Sequence, residues 1–491
     1  MTRGHGARPA RGLILAAPSS GSGKTVLTLG LLRCFKRRDV AVASAKAGPD
    51  YIDPAFHAAA SGRDCLNLDA WAMRRGTIAA ALADLSRGGA TILCEGVMGL
   101  YDGAGPDNAG STADLAALLG WPVVLVVDIS RQSASAAAVV RGFAGHRRDV
   151  RIAGAILNRA ASARHAEAAE RAIKAATPEV GLLGWVPRDP GLILPERHLG
   201  LVQAGEHGDL ERFLDRAAQA VAAHVDLHAL LDAAEPSTLP SPAPSPAPSP
   251  EPSPEPSPAP SPAPSPAPSP EPAREPSPAP GPGRAGSPAL PPLGRRIAVA
   301  RDSAFAFSYP HVLEGWRRAG AAVEYFSPLA DQAPGTDADA VYLPGGYPEL
   351  HAGRLAAAEN FRAGMMKALG RGAAAYGECG GYMVLGRGLT DKDGRRHAML
   401  NLLPLESSFA APRLHLGYRR ATLVQDSPLG RTGRVLRGHE FHYAQAVDEG
   451  PGRPLFHLSD AAGLALGPAG RVARHGAGLA LGSFAHLIDR E

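Results

Sequence analysis

Two stretches of this chain combine residue types and spacing that suit chemistry. The first is Pro18-Ser-Ser-Gly-Ser-Gly-Lys-Thr25, which follows the apolar run GLILAAP and leads into VLTLGLL. Strand, glycine-rich turn and helix in that order are the context of a phosphate loop. The backbone amides of Gly21, Ser22, Gly23, Lys24 and Thr25 are predicted to point inward around phosphate oxygens, with Lys24 reaching the outer phosphates and the Thr25 hydroxyl ligating Mg²⁺. Pro18 stands where the usual pattern has its first glycine, so the loop is a variant. The second stretch is GAAAYGE followed by Cys379-Gly380-Gly381 and the helical GYMVLGRGL. A cysteine on a tight strand-to-helix turn is exposed to substrate, and the helix N-terminus is predicted to lower its pKa. The competing role, a buried structural cysteine, is less suited to that turn.

Each centre has supporting candidates. The strand Thr91 to Cys94 ends in Glu95, placed to hold a metal, and the segment runs on to Asp102. Lys46-Ala-Gly-Pro-Asp50-Tyr-Ile-Asp53-Pro is a strand-end loop whose two carboxylates serve metal or substrate, or only satisfy turn amides. Asn158, at a third strand end, has an amide suited to a nucleotide base edge. For the thiol, His486 is the candidate base, with His439 and His442 as competitors. The Gly345-Gly346 turn after a strand is able to aim a backbone N–H at an oxyanion.

These loops need rigid strand ends to hold them. GLILAAP, AVASAKAG, TILCEGV, PVVLVVD and RIAGAILN alternate with alanine- and leucine-rich helical stretches, and RRIAVARD, AAVEYFSP, DAVYLPGG and GAAAYGEC repeat the scheme later. The pattern predicts an α/β protein of two open, mostly parallel, helix-covered sheets with ligands at the carboxyl ends of the strands. Between them, residues 235–292 carry a Ser-Pro-Ala-Pro and Ser-Pro-Glu-Pro repeat with almost no large apolar residue. That composition predicts an extended tether rising about 3.1 Å per residue. The expected organisation is 1–234, a phosphate-loop domain; 235–292, a disordered linker; and 293–491, the thiol domain.

A net charge of +4 with 20% charged residues is too mild to imply nucleic acid or a membrane surface as partner. The four scattered cysteines form no CxxC pair, which suggests a reducing cytoplasm and neither a disulfide framework nor a zinc site. The opening MTRGHGARPARGLILAAPSSG imitates a secretion signal, but cleavage there would destroy the phosphate loop.

APSSGSGKT, KAGPDYIDPAFH, EGVMGLYDG, PERHLGLVQAGEHGDL, ARDSAFAFSYP, LPGGYPEL, ECGGYMVLG and RGHEFHY, in that order, resemble cobyrinic acid a,c-diamide synthases, including the hydrogenobyrinic acid branch. The N-terminal half is also similar to dethiobiotin synthetase and the C-terminal half to class I glutamine amidotransferase domains. The resemblance implies a carbon-nitrogen ligase of cobalamin biosynthesis. In it, Mg-ATP activates two peripheral carboxylates of a tetrapyrrole as acyl phosphates, and ammonia from glutamine converts each to an amide. By the same resemblance Cys379 forms the glutamyl thioester, and His486 is its base. Thr25, Asp50 and Glu95 are metal-site residues, and Asp50, Tyr51, Asp53 and Asp102 lie near the tetrapyrrole. Ordinary class I domains carry a glutamate two residues after the histidine; here that position is Ile488, which leaves a Cys-His dyad. The PERHLGLVQAGEHGDL stretch favours the metal-free ring, and a homodimer is compatible with the resemblance. The rival readings are an amide ligase acting on another tetrapyrrole, such as nickel-sirohydrochlorin, and a non-catalytic partition-type ATPase.

Overall fold

The computed structural model describes residues 9–240, apart from 198–199, 202 and 207, and residues 287–491. Most of the Ser/Pro repeat and part of PERHLGLVQAGEHGDL lie outside the described residues.

The first half is a parallel sheet in the order Leu66–Leu68, Val42–Ala47, Thr91–Glu95, Arg11–Ala16, Val123–Asp128, Ile152–Ala160, Gly181–Pro187. Gly12 to Ala16 and Val123 to Val127 are buried without a break. A strand covered on both faces must be apolar throughout, which is why these segments read as unbroken apolar runs rather than alternating ones. Glu235–Pro236 adds an antiparallel rung against Arg11 and Gly12. Leu239, Ala289 and Leu290, inside the predicted linker at its two ends, are buried as well. They are among the few apolar side chains there, and they pack against the folded halves instead of joining the repeat.

The second half contains the expected sheet, in the order Ala322–Phe326, Arg296–Ala300, Ala340–Leu343, Ala374–Glu378, Gly478–Ser483, Arg471–His475. It is parallel except for its last pair. It does not simply repeat the first half, because a mixed four-stranded sheet and an antiparallel five-stranded sheet are appended. The five-stranded sheet holds all of RGHEFHY but its final tyrosine in Val435–His442, between His415–Leu423 and the terminal strand His486–Arg490. Its strands are half-buried, so they lack the long apolar runs that announce a parallel core.

The halves pack on each other. One hydrophobic cluster includes Tyr51 and Trp71 from the first half and Phe307, Tyr309 and Tyr418 from the second. Trp71 and Tyr418 stack with ring centroids 4.6 Å apart. The Tyr309 hydroxyl donates to the Pro49 carbonyl at 2.8 Å, and the Tyr418 hydroxyl to Asp69 at 2.8 Å. Asp489, fully buried, accepts from the Arg74 backbone N–H at 2.9 Å and from its guanidinium. These contacts face the strand ends of the two sheets toward each other.

Candidate active site

The phosphate loop forms as the sequence predicts. Gly21 and Gly23 take left-handed φ values of 75° and 89° between the strand Arg11–Ala16 and the helix Lys24–Arg37. A side chain at Gly23 would sit 2.2 Å from the Asn158 amide nitrogen, so only glycine fits there. Asn158 donates that N–H to the Ser22 carbonyl at 2.8 Å. Its amide therefore buttresses the loop, and the residue also lines the cavity beside it. Lys24 and Thr25 line a cavity of about 570 Å³ with Gly21, Gly23, Asp53 and Asn158. Burial brings the Lys24 ammonium down to a pKa of about 8. It donates to the Met98 carbonyl at 2.6 Å.

Behind the loop lies an ionic network the sequence did not announce. The Thr25 hydroxyl donates to Glu95 at 2.7 Å, Lys46 donates to the same Glu95 oxygen at 2.8 Å, and His57 meets the other at 2.7 Å. Lys46 also pairs with Asp53. Burial works against the Lys46 ammonium, yet Asp53 and Glu95 outweigh it and hold its pKa well above the ordinary value. Asp53 is pushed up to about 7, by burial first and by Asp50 second, with Lys46 opposing. The available signal was a lysine inside the otherwise small and apolar strand VASAKA. Asp50 turns one oxygen back to the Ile52 and Asp53 N–H groups, the turn-satisfying role left open above. Its contacts therefore do not join the Thr25–Glu95 pair. Among the described residues no cluster of three His, Cys, Asp or Glu side chains is arranged to hold a metal ion. The oxygens of Thr25 and Glu95 still fit Mg²⁺, which takes one or two protein oxygens and completes its shell with phosphates and water.

The cysteine sits on the predicted elbow. Cys379 has φ 46° and ψ −105°, a strained conformation held because its N–H donates to the Ser483 carbonyl at 2.8 Å. Ser483 ends the neighbouring parallel strand, and three residues later the chain delivers His486 to the elbow. A Cβ on Gly345 would lie 2.3 Å from His486 Cε1, 3.1 Å from its Nε2 and 3.3 Å from the Cys379 Cβ. The three residues therefore meet at one point, and glycine leaves that point open. Gly346 borders the elbow too, its nitrogen 3.0 Å from where a Cβ on Gly380 would be. His439 is the cross-strand partner of His486, whereas His442 is engaged by Glu440 at 3.0 Å.

The electrostatics correct one expectation. Cys379 is 1% exposed, and burial pushes its thiol pKa up, not down. Desolvation of a thiolate outweighs the help from the short helix behind it. Burial likewise lowers His486 to about 3, so its imidazole is neutral, and neither ring nitrogen has a hydrogen-bond partner. A neutral acceptor beside a protonated thiol is the arrangement that base activation requires.

The two centres are joined through the KAGPDYIDP loop. A cavity of about 780 Å³ is lined by Asp50, Tyr51, Asp53 and Asp102 from the first half and by Leu416, Arg419 and Phe441 from the second. Asp53 borders this cavity and the phosphate-loop cavity alike. Two residues before it, the Tyr51 ring lies 4.3 Å from Phe307 and 4.8 Å from the His486 ring. Leu416, Arg419 and Phe441 were missed from sequence because only packing of the halves brings them to the site.

The comparisons with known proteins agree with this architecture. Residues 13–202 match the CobQ/CobB/MinD/ParA nucleotide binding domain, and residues 296–491 match the CobB/CobQ-like glutamine amidotransferase domain. The hydrogenobyrinate a,c-diamide synthase of Brucella anthropi is 51% identical over 481 residues, covering 98% of each chain. That of Rhizobium meliloti is 52% identical over 483 residues, covering 97% of this chain and 99% of its own. Among solved structures, PurLQS from Thermotoga maritima covers 40% of this chain and 88% of its own at 17% identity, with a TM-score of 0.28, too low to carry weight. A nucleotide-binding sheet coupled to a glutamine amidotransferase sheet defines a glutamine-dependent amidating ligase. Within that class, the chain belongs to the hydrogenobyrinate a,c-diamide synthase family, enzymes of cobalamin biosynthesis. Its relatives carry that ligase name along nearly the whole chain, which sets aside the partition-type reading. Among the described residues no helix is long and apolar enough to cross a membrane.

Proposed function

We propose that this chain converts the a and c carboxylates of hydrogenobyrinic acid to amides, using ATP and glutamine, through acyl phosphates and a Cys379 thioester. The observation that carries the proposal is the KAGPDYIDP loop: Asp53 borders the phosphate-loop cavity, and Tyr51 touches the imidazole beside the thiol.

In the first half, ATP lies with its phosphates on the Gly21–Thr25 amides and Lys24. Thr25 and Glu95 would hold Mg²⁺, which would supply positive charge against the phosphates. The tetrapyrrole occupies the apolar cavity, with one acetate side chain directed past Asp53. The carboxylate oxygen bonds to the γ-phosphorus as the bond to ADP breaks. In the second half, the Cys379 proton passes to His486, and the sulfur attacks the glutamine amide carbon. The tetrahedral oxyanion faces the Gly345–Gly346 turn. Ammonia departs with the proton from His486, and water then releases glutamate from the thioester. The ammonia nitrogen attacks the acyl phosphate carbon, phosphate leaves, and the amide forms. Ammonia in bulk water at neutral pH is mostly ammonium, so the dry contact of Tyr51 with Phe307 and His486 suits transfer between the halves.

Mass spectrometry of the purified chain with Mg-ATP, glutamine and either hydrogenobyrinic acid, cobyrinic acid or nickel-sirohydrochlorin tests this reading. Hydrogenobyrinic acid is expected to gain two amides with release of ADP. Diamidation of another ring alone, or release of AMP, would overturn it.

A further inference from the structure

We propose that Glu378, the residue immediately before the nucleophile, is the carboxylate that orients His486. The inference rests on the Cys379–His486 reading above and supplies the partner that Ile488 cannot. Glu378 Oε2 lies 3.9 Å from His486 Nδ1. It is the one carboxylate within 4.0 Å of that ring among the described residues. The opposite edge of the ring, Cε1 and Nε2, faces Gly345 and Cys379. The order of atoms is therefore thiol, Nε2, Nδ1, carboxylate, which is the order a base-orienting triad requires.

Glu349 bears on the Cys379 thiol, and the remaining carboxylates nearby are committed elsewhere. Asp489 is bound by Arg74 and Thr77, Glu440 by Arg419 and His442, and Glu491 by Arg420 and Arg437. Glu378 is held in place by three hydrogen bonds, from the Tyr342 hydroxyl at 2.7 Å, the Tyr376 hydroxyl at 2.8 Å and the Leu487 N–H at 3.1 Å. Three N–H and O–H groups aimed at one carboxyl suit an acceptor, the ionised form. Both Tyr342 and Tyr376 are buried, and their rings stack 5.7 Å apart, so the cradle is rigid. At 3.9 Å the neutral ring is not yet bonded. When Nε2 takes the thiol proton, Nδ1–H becomes part of a cation, and a slight rotation brings it onto Glu378. Glu378 thus acts through His486 as a positioning residue and does not touch glutamine.

The test compares glutamine hydrolysis with ammonia-driven amidation in the full chain, because only the first needs this site. Glu378→Gln keeps the size and an acceptor for Leu487 N–H. It is expected to lower kcat for glutamine hydrolysis by about 10²-fold or more with little change in KM, and to leave ammonia-driven amidation intact. Glu378→Asp is expected to recover part of the loss. Burial pushes Glu378 up to about 7, so the wild-type rate is expected to rise through that pH and the Gln variant to lose this limb. The other titratable groups, Cys379, Tyr51, His439, His442, Glu349 and Glu440 around the ring and thiol and Tyr309, Tyr342 and Tyr376 around the carboxyl, are unchanged in that comparison. An unaltered kcat and pH profile in Glu378→Gln would overturn the proposal. If that variant does not fold, Tyr342→Phe decides: a fall in hydrolysis with a displaced limb supports the role, and an unchanged profile refutes it. Glutamine hydrolysis surviving in Cys379→Ala would instead overturn the underlying site reading, whatever Glu378 does.

Discussion

The two centres of this molecule are built on opposite electrostatic plans. Around the phosphate loop the charges are numerous and paired: Lys46 bridges Glu95 and Asp53, His57 closes on Glu95, and Lys24 rests on a carbonyl. Around the thiol the reacting groups are neutral and short of partners: Cys379 stays protonated, and both nitrogens of His486 are unbonded. The contrast follows the cargo. A nucleoside triphosphate arrives with several negative charges, and fixed dipoles and ammonium groups must replace its water. In the proposed mechanism ammonia is useful only as the neutral molecule, which suits a buried site whose charges appear only during the reaction.

The largest expected effect separates the plans outright. Cys379→Ala is expected to reduce glutamine-driven amidation by about 10³-fold or more while leaving amidation by added ammonia at raised pH near the wild-type rate, both read as product by mass spectrometry. Lys24→Ala strikes the charged plan and is expected to reduce both routes together, by about 10²-fold or more, since in the proposed mechanism acyl phosphate formation precedes either. A Lys24 variant that lost only the glutamine route would contradict the division of labour. Next comes the contact that faces the centres toward each other. Asp489→Ala leaves the Arg74 guanidinium without its carboxylate, and a loss of about 3 kcal/mol is expected in denaturant unfolding. The low end of the range applies because Arg74 keeps partial exposure. An unchanged midpoint would mean that this ion pair does not hold the halves together.

The smallest effect is one of pH. The Lys24 pKa of about 8 in the free protein means the ammonium is increasingly lost above that pH. Phosphate binds the protonated form and raises its pKa, so binding above pH 8 is coupled to proton uptake. Affinity for a non-hydrolysable ATP analogue is expected to be flat below about pH 7 and to fall by up to about tenfold per unit above 8. Calorimetry in buffers of different ionisation heat checks both the slope and the proton taken up. A flat profile to pH 9 would show that the amine stays charged without phosphate.

How far the sequence carried differs between the centres for the same reason. The phosphate loop is local: its glycines, lysine and threonine are consecutive, and the flanking apolar runs predict the strand and helix that aim them. The elbow at Cys379 is equally local. Its pKa is not, because the direction of the shift depends on how completely the second half closes over the sulfur, and burial reverses the predicted lowering. His486 could be ranked above His439 and His442 only as an expectation. The parallel pairing of Ala374–Glu378 with Gly478–Ser483 is what sets its ring beside Gly345. Glu378 went unnoticed because it sits next to the nucleophile, where alternation along a strand suggests a side chain pointing away. The elbow bends the chain enough to bring both residues to one imidazole.

The sequence by itself determined two α/β halves, a phosphate loop ending at Thr25, a cysteine on a turn and a proline-rich stretch between them. Each of these depends on residues near one another along the chain, where periodicity, glycine freedom and proline stiffness act. Tertiary structure alone decided that Asp53 borders two cavities, that Tyr51 crosses to the imidazole, and that apolar residues of the five-stranded sheet line the second cavity. Those relations join positions hundreds of residues apart. They exist only because buried contacts such as Arg74 with Asp489 and Trp71 with Tyr418 fix the angle at which the two sheets meet.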